Sequence, residues 1–413
     1  MITRNDCAAR DRADVLAPLR ERFQLPAGVV YLDGNSLGAL PKATPARMRE
    51  VIEAEWGRDL IRSWNTHKWV NFPSRVGNKL AKLLGATDGE IVVADSTSIN
   101  VFKLLAGALQ LPHARERRVI LSERGNFPTD LYMAQGLAAL LGDRYELRLI
   151  DNDDVGSALT DDVAVALFTQ VDYRSGRVLD MAALNAMAKR AGTHIVWDLS
   201  HSAGALPVHL NRDGTELAVG CGYKYLNGGP GAPAYLYVAR DLQPVIRQPL
   251  SGWFGHAAPF EFTPGYTPAA GIEQMLVGTP SVIATAALEC GVDVLLDCDV
   301  VELRRKSLAL TDLFIALVGQ ECAAFGFELA SPLDHAKRGS QLSFRHPEAY
   351  AVMQAIIDRG VIGDFRKPDL LRFGFAPLYV GYEDVWNAVA ILRDVMSAEA
   401  WREPRFQERK AVT

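Results

Sequence analysis

Residues 194–205 read HIVWDLSHSAGA, and this stretch decides the fold class. A short apolar run leads directly to a carboxylate, Asp198, and then to small and polar residues. Similar apolar runs, rich in β-branched residues, recur at 29–33, 91–95, 118–123, 147–151, 165–172, 217–225 and 234–240. Because a strand that is apolar on both faces is buried on both faces, these runs predict a mostly parallel sheet.

Helix signals lie between several of these runs. Ser96 and Thr97 are capping candidates in front of apolar residues at helical spacing. Residues 181–191 lie between Asp180, a typical residue for a helix start, and Gly192, a typical residue for a helix end. The alternation of strand and helix predicts an α/β fold with a parallel sheet sandwiched by helices.

The pattern changes after about residue 280. The later elements are predicted as a long helical stretch at 281–319, a strand at 341–346, a helix at 350–360, a strand pair within 361–375 and a helix at 383–396. We therefore expect three parts: an N-terminal segment at 1–50, a large domain at 51–280 and a small α+β domain at 281–413. The N-terminal segment is expected to pack on the small domain or at a subunit interface.

Composition excludes several classes of protein. The 413 residues include 44 Lys and Arg against 49 Asp and Glu, a net charge of -5 that argues against nucleic acid as a partner. A hydrophobic fraction of 49% and a charged fraction of 23% are typical of a folded globular protein. With no apolar run of about 20 residues and no apolar signal core, we expect a cytoplasmic protein without membrane contact. The acidic run at 151–154 is expected to be solvated surface.

The cysteines and histidines suggest neither a disulfide framework nor a metal site. The five cysteines are scattered and include no CxxC pair. The eight histidines include no HExxH motif. We therefore assign no metal.

Three chemically distinctive groups follow predicted strands, where ligands bind in open parallel sheets. Residues 96–98 place hydroxyls and free amides at a helix start, which suits a phosphate, although simple helix capping is the alternative. Asp198 ends an apolar strand, so its carboxylate needs a cation nearby. Lys224 lies at the end of the next run, 217–225, and precedes a glycine-rich loop at 228–231. An Asp198–Lys224 ion pair and a solvent-facing lysine are the alternatives for these two residues.

Pyridoxal 5'-phosphate (PLP) accounts for the three groups together. This cofactor needs a lysine for a Schiff base, a carboxylate for its pyridinium nitrogen and a binding site for its phosphate. The sequence order of phosphate site, aspartate and lysine therefore predicts a PLP enzyme.

Several motifs together resemble kynureninase, particularly its bacterial form. They are YLDGNSLG (31–38), NFPTDLY (126–132), WDLSHSAGA (197–205), GCGYKYLNGGPGAP (220–233), PLSGWFGH (249–256) and LRFGFAPLY (371–379). The resemblance implies a PLP enzyme of the aspartate aminotransferase fold (fold type I, class V), with a seven-stranded sheet. It also implies a homodimer with shared active sites that hydrolyses L-kynurenine to anthranilate and L-alanine.

The resemblance assigns roles around the cofactor. Lys224 would form the Schiff base and abstract the α-proton, Asp198 would pair with the pyridinium nitrogen, and Tyr223 would contact the phosphate and carry a proton. Further cofactor-binding roles fall on Thr97, Ser98, Phe127, Asp130, Thr169 and His201, and on Trp253 and Thr279 from the neighbouring subunit. Phe127 and Trp253 as core aromatics, and His201 as an interior histidine, are the alternatives.

The resemblance also assigns the substrate pocket. Arg372 would hold the substrate α-carboxylate in a two-pronged contact, unless it is an ordinary ion-pair partner. Trp64 and Asn35 would shape the aromatic end of the pocket. Water would then add to the γ-carbonyl and the Cβ–Cγ bond would break. The preference between L-kynurenine and its 3-hydroxy derivative stays open.

Other activities are known on the same fold. A cysteine desulfurase needs an accessible thiolate, whereas four of the five cysteines lie in apolar helix-like or strand-like stretches. An aminotransferase would require a keto acid as co-substrate. A PLP-binding protein without turnover is the alternative outside enzymology.

Overall fold

The computed structural model describes residues 1–151 and 155–409. Most of the predicted acidic surface run at 151–154 therefore lies outside the described residues. The described strands, numbered β1 to β15, are Phe23–Gln24, Val30–Tyr31, Leu40–Pro41, Ile91–Val93, Val119–Glu123, Glu146–Ile150, Val163–Thr169, His194–Asp198, Leu217–Gly220, Tyr235–Val238, Glu328–Leu329, Gln341–Arg345, Val361–Ile362, Asp364–Arg366 and Leu370–Gly374.

The described α-helices, numbered α1 to α12, surround these strands. They are Arg4–Arg12, Thr44–Arg49, Ser63–Thr66, Phe72–Leu84, Thr97–Ala108, Pro128–Leu140, Met181–Ala191, Val282–Leu296, Val300–Glu321, Ala349–Asp358, Tyr382–Ser397 and Pro404–Gln407. None of these helices combines the length and the apolar character that crossing a membrane requires.

The central sheet has seven strands in the order β4-β10-β9-β8-β7-β5-β6. The strands from β9 to β6 in this order are parallel, whereas β10 runs antiparallel to both of its neighbours. The predicted α/β class with a mostly parallel sheet is therefore confirmed. Since β4 and β9 each lie antiparallel to β10, their carboxyl ends meet at the same edge of the sheet.

Alternate residues of the central strands point into two buried apolar clusters. In β8, Val196 packs in the cluster that contains α5, whereas Trp197 packs in the cluster on the other face. Every residue of β5, β7 and β9 is buried. The near-continuous apolar composition of these strands follows from helices covering both faces.

Two predicted strands are shorter than expected. The run at 217–225 leaves the sheet at Gly220, where a Cβ would lie 2.3 Å from the Tyr235 hydroxyl, so Lys224 lies in the following loop. The run at 29–33 contributes only β2, which pairs with β13 in a separate two-stranded sheet.

Both predicted ends of α7 are confirmed, whereas one predicted helix is interrupted. The side chain of Asp180 caps α7 by accepting from the Ala183 amide, and Gly192 ends the helix in the left-handed conformation. The predicted long helix at 281–319 is wrong, because it is two helices, α8 and α9. The break lies at Asp299, whose side chain accepts from the Val301 amide and starts α9.

A second sheet lies in the C-terminal third and has the order β11-β12-β15-β14, all antiparallel. The strand pair predicted within 361–375 is three short strands, of which β13 pairs with β2 and the other two join this sheet. The division of the chain at residues 50 and 280 stays a prediction.

Candidate functional site

The lysine loop is held in place by the first motif of the chain. The Gly38 amide donates to the Tyr223 carbonyl at 2.8 Å, and a Cβ on Gly38 would lie 2.3 Å from the Lys224 carbonyl oxygen. Within the loop, the Asn227 amide donates to the Lys224 carbonyl at 2.9 Å. The YLDGNSLG motif therefore packs directly against the backbone that carries Lys224.

The ammonium of Lys224 contacts a histidine and two aromatic rings. Its Nζ lies 2.9 Å from His201 Nε2, 5.7 Å from the centroid of the Phe127 ring and 5.8 Å from the centroid of the Tyr223 ring. His201 is buried, and burial followed by the charge of Lys224 lowers its pKa well below the usual range. The imidazole is therefore neutral at pH 7 and accepts a hydrogen bond from the ammonium.

Two buried acids lie beside this lysine. Asp198 is the last residue of β8, and its Oδ1 accepts from the Ser200 amide at 2.7 Å. Asp130, in the first turn of α6, is buried next to it. Burial, and then the charge of Asp198, raise the pKa of Asp130 well above its ordinary value. The neighbour of Asp198 is thus a second acid, and no salt bridge in the described part of the chain joins Asp198 to Lys224.

Thr169 lies on the strand next to Asp198. It is the last residue of β7 and pairs in register with Asp198. Its hydroxyl donates to Oδ1 of Asn126, which also accepts from the Phe127 amide at 2.7 Å. Asn126 thereby fixes both Thr169 and the start of the segment that carries Phe127 and Asp130.

The start of α5 presents free amides. Ser96 is the N-cap, and its hydroxyl accepts from the Ile99 amide at 3.4 Å. The amides of Thr97 and Ser98 precede the first intrahelical bond, so both are available to an anion. Since α5 follows β4, this helix start lies at the same edge of the sheet as the lysine loop.

PLP fits these residues. Asp130 Oδ2 is buried and has no hydrogen-bond partner among the described residues, and it lies beside a second carboxyl. Two adjacent buried acids leave negative charge uncompensated, which a cationic ring nitrogen would neutralise. The free amides of α5 suit a phosphate, and the Lys224 amine suits an aldehyde.

Two of the predicted residues, Trp64 and Trp253, lie in one aromatic group, and a third, Thr279, lines a cavity. The Trp64 ring lies 5.9 Å from the Phe254 ring, and the Trp253 ring lies 5.0 Å from the same phenylalanine. Thr279 lines a cavity that is also lined by Asp95 and Gly231. Across residues 1–151 and 155–409, no hydrogen bond, ion pair or ring contact joins these three residues to Lys224.

Arg372 lies in a buried charged cluster of the C-terminal sheet. Its Nε donates to Asp364 Oδ1 at 2.7 Å, and its Nη2 donates to Asp364 Oδ2 and, at 2.8 Å, to the Ser36 hydroxyl. Its Nη1 donates to the Tyr173 carbonyl at 2.6 Å. Four of the five N–H groups of the guanidinium are therefore engaged, and one on Nη1 is free for a ligand.

Asn35 is fully buried beside the same cluster. Both of its amide atoms lack a hydrogen-bond partner among the described residues. A Cβ on Gly374 would lie 1.8 Å from Asn35 Oδ1, so only glycine fits there. Burial, and then the charge of Asp364, raise the pKa of the neighbouring Asp33 to about 7.

Several residues of the site were not predicted from the sequence. They are Ser36, Asn126, Tyr173, Gln341 and Asp364. Ser36 and Asn126 lie inside quoted motifs, so adjacency to Asn35 and Phe127 was an available signal. The other three carry no sequence signal, because only the tertiary fold brings them to the lysine or to Arg372.

Comparison with known proteins identifies the family. The kynureninase of Burkholderia pseudomallei (strain 1106a) is 56% identical over 416 residues, and the match covers 100% of both chains. The kynureninase of Pseudomonas fluorescens is 54% identical over the same length. The chain belongs to the kynureninase family. The model of the kynureninase C-terminal domain also matches residues 303–392.

Membership of the kynureninase family confirms the predicted hydrolase class and the predicted cofactor, PLP. Solved structures confirm the fold. A cysteine desulfurase from Thermococcus onnurineus NA1 superposes with a TM-score of 0.77 at 20% identity, covering 92% of this chain and 98% of that chain. A C-DES mutant with glycine covalently linked to its PLP cofactor superposes with a TM-score of 0.79 at 17% identity, covering 91% and 99%.

The cysteines differ from what a desulfurase requires. Burial raises the pKa of the Cys221 thiol, which lies just after β9. Burial also raises the pKa of Cys298 to about 11 and that of Cys322 to about 12. These thiols stay protonated at neutral pH and are poor nucleophiles. None of these three thiols is therefore an activated thiolate.

Proposed function

We propose that this chain hydrolyses L-kynurenine to anthranilate and L-alanine, with Lys224 as the residue that binds the cofactor and moves the α-proton. The observation that carries the proposal is the contact of Lys224 Nζ with His201 Nε2, at 2.9 Å, beside the buried acids Asp130 and Asp198. In a kynureninase-family chain, this arrangement supplies both a base and a site for a cationic ring.

The residues around Lys224 divide the remaining tasks. PLP, when bound, withdraws electrons from the substrate carbon next to the amino group and so makes its proton removable. Asp198 would hold the ring nitrogen, Thr97 and Ser98 would hold the phosphate, and Phe127 would stack on the ring. Thr169 and Asp130 would complete the surroundings of the ring. His201 keeps the lysine oriented towards the substrate side by accepting one of its N–H groups.

The direct test uses the purified, cofactor-loaded protein with L-kynurenine. We expect anthranilate and alanine to form in equal amounts, without a keto acid. Release of pyruvate or sulfide from other amino acids, in place of these products, would assign a different reaction to the site. The same assay with 3-hydroxykynurenine measures the substrate preference.

Arg372 is proposed to bind the substrate α-carboxylate. One N–H on its Nη1 is free, so a two-pronged contact requires either Ser36 or the Tyr173 carbonyl to release a second one. The Asp364 carboxylate holds the other edge of the guanidinium and fixes its plane. The Nη1 end of the guanidinium therefore keeps a fixed orientation towards the substrate carboxylate.

Arg372→Lys is expected to raise KM for kynurenine by about tenfold or more, because an ammonium cannot reproduce a planar two-pronged contact. Steady-state kinetics measures this effect. Arg345→Lys on β12 is the matched control, since Arg345 is exposed and pairs with Asp369. An unchanged KM in Arg372→Lys would remove this arginine from the substrate site.

Tyr223 is proposed to carry the proton in the late steps. Burial, and then the proximity of Cys221 and Asp198, raise the pKa of its phenol above the usual value, so the phenol is a donor at neutral pH. Tyr223→Phe should lower kcat by about 10²-fold or more, the contribution of a positioned general acid. Turnover equal to the wild type would show that another group moves this proton.

The shared-site homodimer is also a proposal. Among the described residues, no hydrogen bond, ion pair or ring contact joins Trp253 or Thr279 to Lys224, and the Trp253 ring contacts the exposed Phe260 and Phe262. An exposed aromatic group of this kind suits contact with a second subunit. Sedimentation of the cofactor-loaded protein is expected to give twice the chain mass of 45.2 kDa. A monomer with full activity would contradict shared sites.

A further inference from the structure

Gln341 is the first residue of β12 in the C-terminal sheet, and its side chain reaches the partner of Lys224. Its Oε1 lies 2.9 Å from His201 Nδ1. Its Nε2 donates to the carbonyls of Asp172 and Tyr173, at 3.1 Å and 3.0 Å. Because both amide hydrogens are used in this way, the orientation of the Gln341 amide is fixed and its oxygen faces the imidazole.

The orientation of this amide determines the tautomer of His201. A carbonyl oxygen can only accept, so the imidazole nitrogen that faces it, Nδ1, carries the hydrogen. A neutral imidazole then has a lone pair on Nε2, the nitrogen that lies 2.9 Å from Lys224 Nζ. The reverse tautomer would place two acceptors against each other at Gln341 and two donors against each other at Lys224.

We propose that Gln341 is a positioning residue that fixes the Nδ1–H tautomer of His201 and thereby keeps His201 Nε2 as the acceptor for the Lys224 amine. When the lysine is neutral, it donates one N–H to His201, and its lone pair points elsewhere. Gln341 therefore sets the direction of the base through His201. The inference rests on the proposed role of Lys224.

The surroundings of His201 favour the neutral imidazole that this arrangement requires. The largest effects of charge on His201 come from Lys224, Arg372 and Arg366, and all three are cations. Burial is the largest cause that lowers the pKa of His201 well below its ordinary value, and the three cations add to it. A second N–H on the ring would face the Lys224 ammonium and is disfavoured.

The lack of a side chain at Gly176 makes room for Gln341. Gly176, with a φ of +73°, lies against Gln341, and a Cβ there would lie 2.8 Å from the backbone carbonyl oxygen of Gln341.

Ser343, two residues further along β12, pairs in register with Arg372. One sheet thus carries both the proposed carboxylate-binding arginine and the residue that orients the base. The position of this sheet is linked to Lys224 through His201.

The test measures the tautomer directly by 15N NMR of the full-length protein labelled at histidine, with a His201→Asn variant to assign the signal. We expect Nδ1–H in the wild type. Gln341→Met, which keeps the length but removes the amide, should lose this single tautomer. It should also lower kcat by about tenfold or more, which is less than the full contribution of a positioned base. KM for kynurenine should change less than about threefold. Gln341→Glu keeps an acceptor oxygen and should retain Nδ1–H.

Ser343→Ala is the matched control. The Ser343 hydroxyl donates to the Arg174 carbonyl, so this variant also loses a bond between β12 and the loop after β7, but it does not face His201. It should keep the wild-type tautomer. Finding Nε2–H in the wild type, or the wild-type tautomer and kcat in a folded Gln341→Met, would overturn the inference. The anthranilate assay of the wild type decides the proposed function separately, because the tautomer is measured without turnover.

Discussion

Lys224→Ala is expected to lower kcat for kynurenine hydrolysis by at least about 10⁴-fold, because it removes the base and the amine that binds the cofactor together. The amine of Lys224 contacts His201 at 2.9 Å and stands beside the Phe127 and Tyr223 rings. In its absence, no other amine occupies this position among the described residues. Anthranilate formation under saturating kynurenine measures the loss.

The control for this variant is Lys189→Ala on α7. Lys189 is exposed and lies on a helix that flanks the sheet, so its removal should leave kcat unchanged. Thermal unfolding of both variants checks that the fold is intact. A folded Lys224→Ala protein that keeps more than a hundredth of the wild-type kcat would contradict the assignment of Lys224.

Asp198→Asn is expected to lower kcat by about 10²-fold or more, since truncating one partner of a buried charge pair costs about 2–5 kcal/mol. The asparagine keeps the size of the side chain but cannot hold a protonated ring nitrogen by charge. Affinity for PLP, measured by titration of the protein without cofactor, should fall in the same variant.

Asp130→Asn is the matched comparison for Asp198→Asn. Burial and the charge of Asp198 raise the pKa of Asp130, which favours its neutral form, and an amide resembles that form. We expect its loss of kcat to be less than about tenfold, because the charge of the site is unchanged. If the two variants lost equal activity, the negative charge would not reside on Asp198.

Much of the large sheet could be predicted from the sequence because its strands are buried on both faces. The runs 165–172 and 194–200 are mostly apolar. The structure places β8 within the second run, whereas β7 begins at Val163, two residues before the first run, and ends within it. The ends of elements were predicted where a single side chain decides them, as Asp180 does for α7. The ends were missed where a tertiary contact determines them. At Gly220 this is the close contact with Tyr235, which cannot be predicted from either residue alone.

The residues of the candidate site were likewise predicted in part. Asp198 ends β8 and Lys224 follows the neighbouring strand β9, so sequence order and sheet topology together place them at one edge. Gln341 and Asp364 belong to another sheet, and Gln341 lies 140 residues from the histidine that it contacts. Their roles depend on how the two sheets pack, which no local pattern records. The antiparallel orientation of β10 was also not predicted, because an inserted antiparallel strand has the same buried composition as its parallel neighbours.

The central claim is that the Lys224 amine is the covalent attachment point of PLP. Borohydride reduction of the freshly purified, cofactor-saturated protein, followed by proteolysis and mass spectrometry of the peptides, tests this claim most directly. The account predicts that the mass of the reduced cofactor is found on the peptide that contains Lys224, and at that residue. An unmodified Lys224, or the same mass on a different lysine, would contradict the account.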